Sequence, residues 1–293
     1  MKTRTIKNLN KDQYPFLLKQ IARLPATMDI VGSLPTDDHS FLCVIGSRNH
    51  SPYGEEACRQ LIGGLKGYPV VIVSGLAIGI DSIAHEAALD TGIKTVAFPG
   101  SGLARGVLYP HSKRKLADRI VTSGGALISP FEFDQPSMNW TFPARNRLMA
   151  GMSHATLVIE ARQGSGTLLT AEYATDFNRD ILAVPGSIFS ELSYGPHMLI
   201  ERGAVPITTS LDILKALGLG TGMSSRSISP EDYASLDPLS QHIITIIGRG
   251  EISKNDIAME IGAPIHEVNA KLSFLELQGL ISLNGLVARK MLF

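Results

Sequence analysis

A short glycine-rich loop at residues 164–167 has the residue types of an anion-binding site. It reads Gly164-Ser165-Gly166-Thr167, follows an apolar run and precedes a segment that can close into a helix. The glycines let a ligand approach the backbone, and the free N–H groups of a first helical turn would point towards that ligand. A tight strand-to-helix turn explains the glycines equally well, so one such loop does not decide between the two interpretations.

Six short apolar runs alternate with helical segments along the chain. They are residues 41–45, 70–73, 95–98, 126–129, 155–160 and 181–184. All-apolar strands separated by helices are typical of a parallel sheet that is covered on both faces. The pattern therefore predicts an α/β fold with a doubly wound, mainly parallel sheet.

Small polar loops follow five of these runs. They are Gly46-Ser47-Arg48, Ser74-Gly75, Pro99-Gly100-Ser101-Gly102, the 164–167 loop and Pro185-Gly186-Ser187. Ligands of parallel sheets bind outside the carboxyl ends of the strands, where these loops would lie together. Each loop alone favours a turn, but together they predict a phosphate-binding rim. The loops match neither a Gly-x-Gly-x-x-Gly fingerprint nor a Walker A sequence, which argues against ordinary dinucleotide or NTP binding.

Arginines and aromatic residues supply further chemistry. Arg48 directly follows a predicted strand, where its guanidinium can fork onto a phosphate. Further along, Trp140 and Phe142 stand beside Arg145 and Arg147. A single strand of nucleic acid requires aromatic faces on which its bases stack and charges that follow its phosphates. Two alternatives stay open: Arg48 as a surface arginine paired with a carboxylate, and the second cluster as a core aromatic with two capping arginines.

Other candidates carry less chemistry. Lys113 belongs to a Lys-Arg-Lys run that adds local charge and by default forms a solvated face. His85 is expected to be a satisfied structural histidine rather than a catalytic one. Ser165 lacks the spacing of a nucleophile elbow and has no evident histidine base. We therefore predict no catalytic set, no metal site and no cofactor.

The composition limits the partners. The 293 residues include 27 basic and 27 acidic side chains, so a nucleic acid would have to bind a local patch rather than a global basic field. Cys43 and Cys58 are expected to be buried thiols in a reducing compartment. No run is long enough to span a bilayer, and the basic N-terminus lacks the apolar core of a secretory signal. A cytoplasmic protein without a membrane partner is expected.

Composition shifts divide the chain. We expect a loose tail at residues 1–11, a main domain at 12–214 that begins with a short amphipathic helix, a linker at 215–230 and a second domain at 231–293. In the last domain, three helical segments precede a hairpin with the favoured Asn284-Gly285 turn, which predicts a small winged-helix domain. Its third helix carries charges of both signs, which favours a protein-contact or auxiliary role over reading of the major groove.

Several motifs occur together in an order that resembles one family. They are Val44–Arg48 with Tyr53-Gly54, Ser74–Ala77 with Gly79–Asp81 and Ala84-His85, Tyr109-Pro110, Phe142–Arg147, Ser165–Thr167 with Thr170-Ala171, Val184–Gly186, and Leu199-Ile200 with Gly203-Ala204. With this set, the chain resembles the DNA-processing protein A (DprA/Smf) family from about Tyr14 to residue 214.

The resemblance implies an extended Rossmann-like domain that binds single-stranded DNA without cutting it. It also implies a homodimer that delivers the strand to the RecA recombinase in transformation or other recombination. With the neighbouring rim residues, the expected DNA- and phosphate-binding set is Gly46, Ser47, Arg48, Ser74, Gly75, Gly79, Gly100, Ser101, Lys113, Phe142, Arg145, Asn146, Arg147, Gly164, Ser165, Gly166 and Thr167.

The chain departs from the family pattern in two places near the expected pocket. Ile78 stands where the family usually has arginine, and Pro130 stands where glutamate is usual. A lost charge-assisted hydrogen bond would weaken phosphate binding by roughly 1.5–3 kcal/mol, for which Arg105 in a longer loop is a candidate replacement. The competing hypothesis is a nucleotide phosphoribohydrolase, which uses a related sheet with a nearby glutamate. Here Glu172 is the only close carboxylate after the glycine loop, at a spacing that disfavours this alternative.

Overall fold

The computed structural model describes residues 6–219, 236–247, 252–277, 281–284 and 287–290. The described residues divide into two units, one within residues 1–218 and one within 219–293. Residues 1–5 of the expected tail, residues 220–230 of the expected linker and Gly285 of the expected turn lie outside the described residues. The domain boundaries expected from composition stay predictions.

Nine strands form the sheet of the first unit. They are β1 (Ile6–Asn10), β2 (Thr27–Gly32), β3 (Ser40–Ile45), β4 (Val70–Ser74), β5 (Thr95–Ala97), β6 (Ala126–Ser129), β7 (Ala155–Val158), β8 (Asp180–Ala183) and β9 (Val205–Pro206). Their order across the sheet is β1-β2-β6-β5-β4-β3-β7-β8-β9. From β6 to β9 neighbouring strands are parallel, whereas β2 pairs antiparallel with both β1 and β6. The mainly parallel α/β fold expected from the sequence is confirmed.

Eight helices accompany the described part of this sheet. They are α1 (Phe16–Lys19), α2 (Pro52–Gly63), α3 (Ile80–Thr91), α4 (Arg114–Thr122), α5 (Thr141–Met152), α6 (Gly166–Asp176), α7 (Tyr194–Glu201) and α8 (Ser210–Ala216). Side chains from α1, α5 and α6 share one core cluster with Cys43 and Val71 of the central strands. Side chains of α4 share another with Ala97 and Leu127. Helices thus cover both faces, which explains why β3 and β4 are apolar along almost their whole length.

The order of the strands creates a crevice beside β3. From β3 the chain builds β4, β5 and β6 towards one side of the sheet, and then returns to place β7 on the other side of β3. The loops that leave the carboxyl ends of β3 and β7 therefore diverge. Open parallel sheets bind ligands at such a switch point.

The second unit has its own core. Its helices are Pro238–Ile247, Lys254–Ile261 and Ile265–Leu277, and its strands are Ile252–Ser253, Ile281–Asn284 and Val287–Lys290. Asp237 accepts a hydrogen bond from the Ser240 N–H, and Ser253 caps the next helix through the N–H of Asp256, as both local sequences predict. Lys271 of the third helix pairs with Asp237 at 2.8 Å, so this charge is not available to a ligand. The winged-helix assignment stays a prediction.

Three local expectations are wrong. Residues 6–10 form β1 rather than a loose tail, because their backbone pairs with residues 27–31 of β2, a strand that the sequence pattern missed. The first helix is only four residues long and leaves Phe16 exposed. Asp81, which its residue type and place before a helical segment predict to be an N-cap, is instead buried inside the first turn of α3, which Gly79 precedes.

Candidate nucleic-acid interface

A cleft of about 560 Å³ opens at the switch point between β3 and β7. Its walls are the loop after β3, the loop after β7 and the first turns of α5 and α6. The predicted site residues that line it are Gly46, Ser47, Arg48, Phe142, Arg145, Asn146, Gly164, Ser165, Gly166 and Thr167. We call this space the central cleft. The fold thus brings together segments that are more than a hundred residues apart in the sequence.

The glycine loop forms one wall of the central cleft. Gly164 adopts a left-handed conformation with φ of 70°, which a residue with a side chain adopts only with strain. Ser165 caps α6 by accepting a hydrogen bond from the Thr167 N–H at 3.2 Å. The Thr167 hydroxyl in turn donates to the Gly46 carbonyl at 3.2 Å, so it fastens this loop to the loop after β3. The N-terminus of an eleven-residue helix therefore faces the cleft, where its dipole favours an anion.

Arg48 and Phe142 face each other in the cleft. The guanidinium carbon of Arg48 lies 5.2 Å from the centroid of the Phe142 ring, within the range of a cation–π contact. Arg48 is exposed, and no carboxylate of the described residues forms an ion pair with it. The surface ion pair that the sequence left open for Arg48 is therefore absent from the described part of the chain. A cation without a counter-ion beside an aromatic face suits a phosphate next to a stacked base.

Arg145 lies beneath the cleft rather than reaching into it. Its side chain is buried, donates a hydrogen bond to the Phe98 carbonyl and lies 3.7 Å from the Asp81 carboxylate. Burial raises the pKa of the Asp81 carboxyl, an effect opposed by the Arg145 guanidinium and by hydrogen bonds from the Ala77 and Gly75 backbone. The pair therefore positions the loop after β4. Direct phosphate binding by Arg145, which the sequence suggested, stays a prediction: the residue lines the floor of the cleft, but Asp81 and the Phe98 carbonyl already engage its guanidinium.

Two glycines of the rim make room for these side chains. A Cβ on Gly75 would collide with the Arg145 guanidinium, and one on Gly100 would lie 2.5 Å from the Phe142 ring. Both residues line a small recess beside the cleft, together with Ile78 and the aromatic residue Tyr109. The Tyr109 and Phe142 rings meet edge to face, with centroids 5.9 Å apart. Close packing, rather than backbone contact with a ligand, thus explains why glycine is needed at positions 75 and 100.

Besides Gly75 and Gly100, five predicted site residues do not line the central cleft. The Ser74 hydroxyl donates to the Val44 carbonyl, and the buried Ser101 hydroxyl donates to the Gly102 carbonyl. Gly79 packs against the backbone of residues 47 and 48. These three residues support the rim from below. Lys113 pairs with Glu86 at 3.4 Å on the surface, and Arg147 donates to the Ala22 and Arg23 carbonyls on the far side of α5.

Arg162 lines the cleft although the sequence analysis did not select it. It lies between the end of β7 and the glycine loop, half-exposed, and 3.8 Å from Glu191. The sequence signal that could have selected Arg162 is its position as a basic residue between a strand end and a glycine loop. The Asn146 side-chain amide makes no hydrogen bond with the described residues, so it is available to a ligand. Arg105 pairs with Asp118 at 2.9 Å, so it does not replace the missing arginine at position 78.

No arrangement for hydrolysis is found among the residues that the structure describes. The Glu160 carboxylate precedes the glycine loop, but it is buried and accepts hydrogen bonds from the Ser51 N–H and hydroxyl. Glu172 is exposed on α6 and does not line the cleft. His85 is buried with its Nδ1 2.6 Å from the Thr95 hydroxyl, and burial and the Arg145 cation lower its pKa to about 3. In the same described residues, no group of three metal-binding side chains is close enough to hold an ion.

The fold and the cleft define a Rossmann-like α/β protein with an open cleft at its topological switch point. A family model described as DNA recombination-mediator protein A matches residues 5–218, and the chain belongs to this family. That family consists of recombination mediators and is not a class of enzymes. In the described part of the chain, no helix is both long and apolar enough to cross a membrane.

Relatives of this family are similar over most of the chain. Protein Smf of Escherichia coli K12 is 38% identical over 272 residues, which cover 89% of this chain and 72% of Smf. DNA processing protein DprA of Streptococcus pneumoniae R6 is 41% identical over 203 residues, 69% of this chain and 71% of DprA.

Two solved structures are similar to the first unit. The X-ray structure of DprA from Streptococcus pneumoniae has a TM-score of 0.66 at 37% identity and covers 73% of this chain and 74% of its own. DNA processing protein A from Helicobacter pylori, described for its single-stranded DNA binding mode, has a TM-score of 0.64 at 26% identity. It covers 73% of this chain and 96% of its own. These likenesses confirm the extended Rossmann-like fold that the resemblance implied.

Proposed function

We propose that this chain is a recombination mediator that binds single-stranded DNA in the central cleft and does not cleave it. The observation that carries the proposal is the Arg48–Phe142 pair, which faces the N-terminus of α6 across the switch point. A phosphate would lie between the Arg48 guanidinium and the N–H groups of the glycine loop. A base would stack on Phe142, and the Asn146 amide would bind a base edge or a sugar.

The charges around the cleft support a single strand over a duplex. Arg48, Arg145 and Arg162 are the cations that line it, but Arg145 has Asp81 as a partner and Arg162 has Glu191. The formal net charge of the chain is zero, so the long-range attraction to a duplex is weak. Stacking on an aromatic face requires unpaired bases, which only a single strand offers along its length.

Family membership supports the finer parts of the proposal. We propose that the protein acts as a homodimer in the cytoplasm and passes the bound strand to the RecA recombinase, in transformation or in another recombination pathway. The support is the description of the family as recombination mediators and the naming of its relatives as DNA processing proteins. Light scattering of the purified protein tests the dimer, and strand exchange on DNA coated with single-strand-binding protein tests the delivery to RecA.

The binding experiment compares a labelled single strand with the same sequence as a duplex. Fluorescence anisotropy is expected to show tighter binding of the single strand, with an affinity that falls as salt rises and changes little with base sequence. Equal affinity for both forms would contradict the proposal. The protein is also incubated with nucleoside monophosphates, and chromatography is expected to show no free base. Release of base would favour the phosphoribohydrolase alternative.

A further inference from the structure

A second pocket lies on the opposite side of α5 from the central cleft. Its volume is about 410 Å³, and it is lined in part by residues 130–132, which continue from the carboxyl end of β6. Because β6 is parallel to β5, this end of the strand lies on the same edge of the sheet as the central cleft. We call it the outer pocket. The proposed function of the central cleft does not use the outer pocket.

Helix α5 separates the two spaces and contributes to both. Phe142 and Asn146 line the central cleft, whereas Ala144 and Arg147 line the outer pocket. At about 100° per residue these two pairs lie on opposite faces of the helix. A strand that leaves the central cleft over the N-terminal turn of α5 therefore reaches the outer pocket within about one helix diameter, roughly 10–12 Å.

Trp140 gives the outer pocket an aromatic platform. This residue is 57% exposed although it carries the largest apolar side chain, and it directly precedes α5. The edge of one ring meets the face of the other where Trp140 packs against Phe131, at a centroid separation of 5.4 Å and an interplanar angle of 87°. This contact restrains the indole while leaving much of it open. A restrained, accessible indole is the surface on which a nucleobase stacks.

Cations border the platform. The Arg147 guanidinium is held by the Ala22 and Arg23 carbonyls and lies over the Phe177 ring at 5.4 Å. Arg23 has a left-handed backbone with φ of 54°, a conformation that is uncommon outside glycine and that clusters at binding sites. Arg23 is exposed and pairs with no carboxylate of the described residues. Its guanidinium is therefore available to a phosphate.

Glu132 and Gln135 complete the polar side of the outer pocket. Their side-chain oxygens can accept a hydrogen bond from an N–H group of a base, such as the N3–H of thymine. The aromatic platform and the two acceptors match a base, and the unpaired guanidinium matches a phosphate. We propose that the outer pocket binds a nucleotide of the same single strand that occupies the central cleft, with its base on Trp140 and its phosphate at Arg23. This inference rests on the proposed function of the central cleft.

Trp140 is the only tryptophan of the chain, so its fluorescence reports on the outer pocket alone. The native protein is titrated with labelled oligothymidylates of about 4 to 20 nucleotides, with label anisotropy for total binding and indole emission for stacking. Short oligonucleotides are expected to bind without quenching. Longer ones are expected to quench the indole in step with the rise in anisotropy.

Substitutions provide the second measurement. Trp140→Ala is expected to weaken binding of the longest oligonucleotide by on the order of tenfold and to leave the shortest unaffected, while Trp140→Phe retains most of the affinity. Phe189→Ala, which removes an exposed aromatic ring that lines neither space, serves as the matched control. Because Trp140 is exposed, its variants are expected to fold, and circular dichroism verifies this.

The outcomes separate the two proposals. If long oligonucleotides bind in an Arg48-dependent manner but the indole is not quenched and Trp140→Ala binds normally, the outer pocket is overturned while the central cleft stands. If no oligonucleotide binds, the proposed function fails, and this inference fails with it. If an aromatic peptide quenches the indole and long oligonucleotides do not, the outer pocket belongs to a protein partner and the inference is wrong.

Discussion

The Arg48 guanidinium carbon lies 5.2 Å from the centroid of the Phe142 ring, although the two residues are far apart in the chain. The loop after β3 supplies one member and the first turn of α5 supplies the other. Their meeting depends on the strand order, because the chain returns from β6 to place β7 beside β3, and α5 lies in that connection. The pair thus joins a cation to a stacking face at the one place where the loops diverge.

Replacing Gly100 by alanine is expected to weaken binding of single-stranded DNA severalfold. The added Cβ would lie 2.5 Å from the Phe142 ring and would displace it from the cleft wall, an overpacking that costs about 1–3 kcal/mol. Gly106→Ala is the control, since a Cβ at position 106 would meet no atom within 4 Å. If anisotropy titrations show the same affinity for both variants, Phe142 is not part of the binding surface.

Replacing Ile78 by arginine is expected to tighten binding. Ile78 is 47% exposed at the recess beside the cleft, at the position where the family resemblance leads us to expect arginine. An added phosphate contact would make the decrease of log affinity with log salt concentration steeper by about 0.7 for a single strand. Ile188→Arg adds the same charge at an exposed position outside the cleft. If both variants gain affinity equally, the effect is one of net charge, and the recess is not part of the site.

Replacing Asp81 by asparagine is expected to destabilise the protein by about 3–5 kcal/mol. The change leaves the buried Arg145 guanidinium without its partner at 3.7 Å, and an uncompensated buried charge is costly. Asp90→Asn removes the partner of Arg119 at the surface and is expected to cost less than about 1 kcal/mol. Urea denaturation followed by circular dichroism measures both. Similar midpoints for the two variants would show that Asp81 and Arg145 do not stabilise each other.

Acid is expected to destabilise the native protein through His85. Its pKa is about 3 in the folded state, against an ordinary value of 6.5, because of burial and the Arg145 cation. Below pH 6.5 the unfolded chain takes up a proton that the folded protein refuses, so stability falls as the pH decreases towards 3. This group alone accounts for about 2 kcal/mol between pH 6.5 and pH 5.

The His85→Gln variant isolates that contribution. Both proteins contain the other titrating groups, including the half-buried His154, whose pKa burial also lowers. The difference in their free energies of unfolding is therefore expected to shrink steadily from pH 7 to pH 5. A difference that stays constant over this range would mean that His85 is charged in the folded protein or titrates normally.

Much of the sheet could be predicted because its central strands are short, apolar and followed by glycine loops. The antiparallel pair β1 and β2 could not. Residues 6–10 have only two apolar side chains, Ile6 and Leu9, in a basic segment that resembles a tail, and only pairing with residues 27–31 makes them a strand. Likewise, the four-residue α1 is held by packing of Leu18 in the core, which a local pattern does not record.

The site was predictable in its loops but not in the direction of its arginines. Arg48, Arg145 and Arg147 all follow sequence rules for phosphate contact, yet the structure leaves only Arg48 free in the cleft. Arg145 points inward to the carboxylate of Asp81, which lies much earlier in the chain. Arg147 points outward and donates to backbone carbonyls near residue 22. Arg145 and Arg147 lie within one turn of α5 but face different surroundings, and the packing of α5 decides which surroundings each residue faces.

The central claim is that Arg48 binds phosphate of a single strand in the central cleft. Anisotropy of a labelled oligonucleotide is measured with the native protein, with Arg48→Ala and with Arg119→Ala, which removes an equal charge from α4. Loss of one charge-assisted contact is expected to cost roughly 1.5–3 kcal/mol, or about 10- to 150-fold in affinity, for Arg48→Ala alone. An affinity for Arg48→Ala equal to that of the native protein would contradict the account.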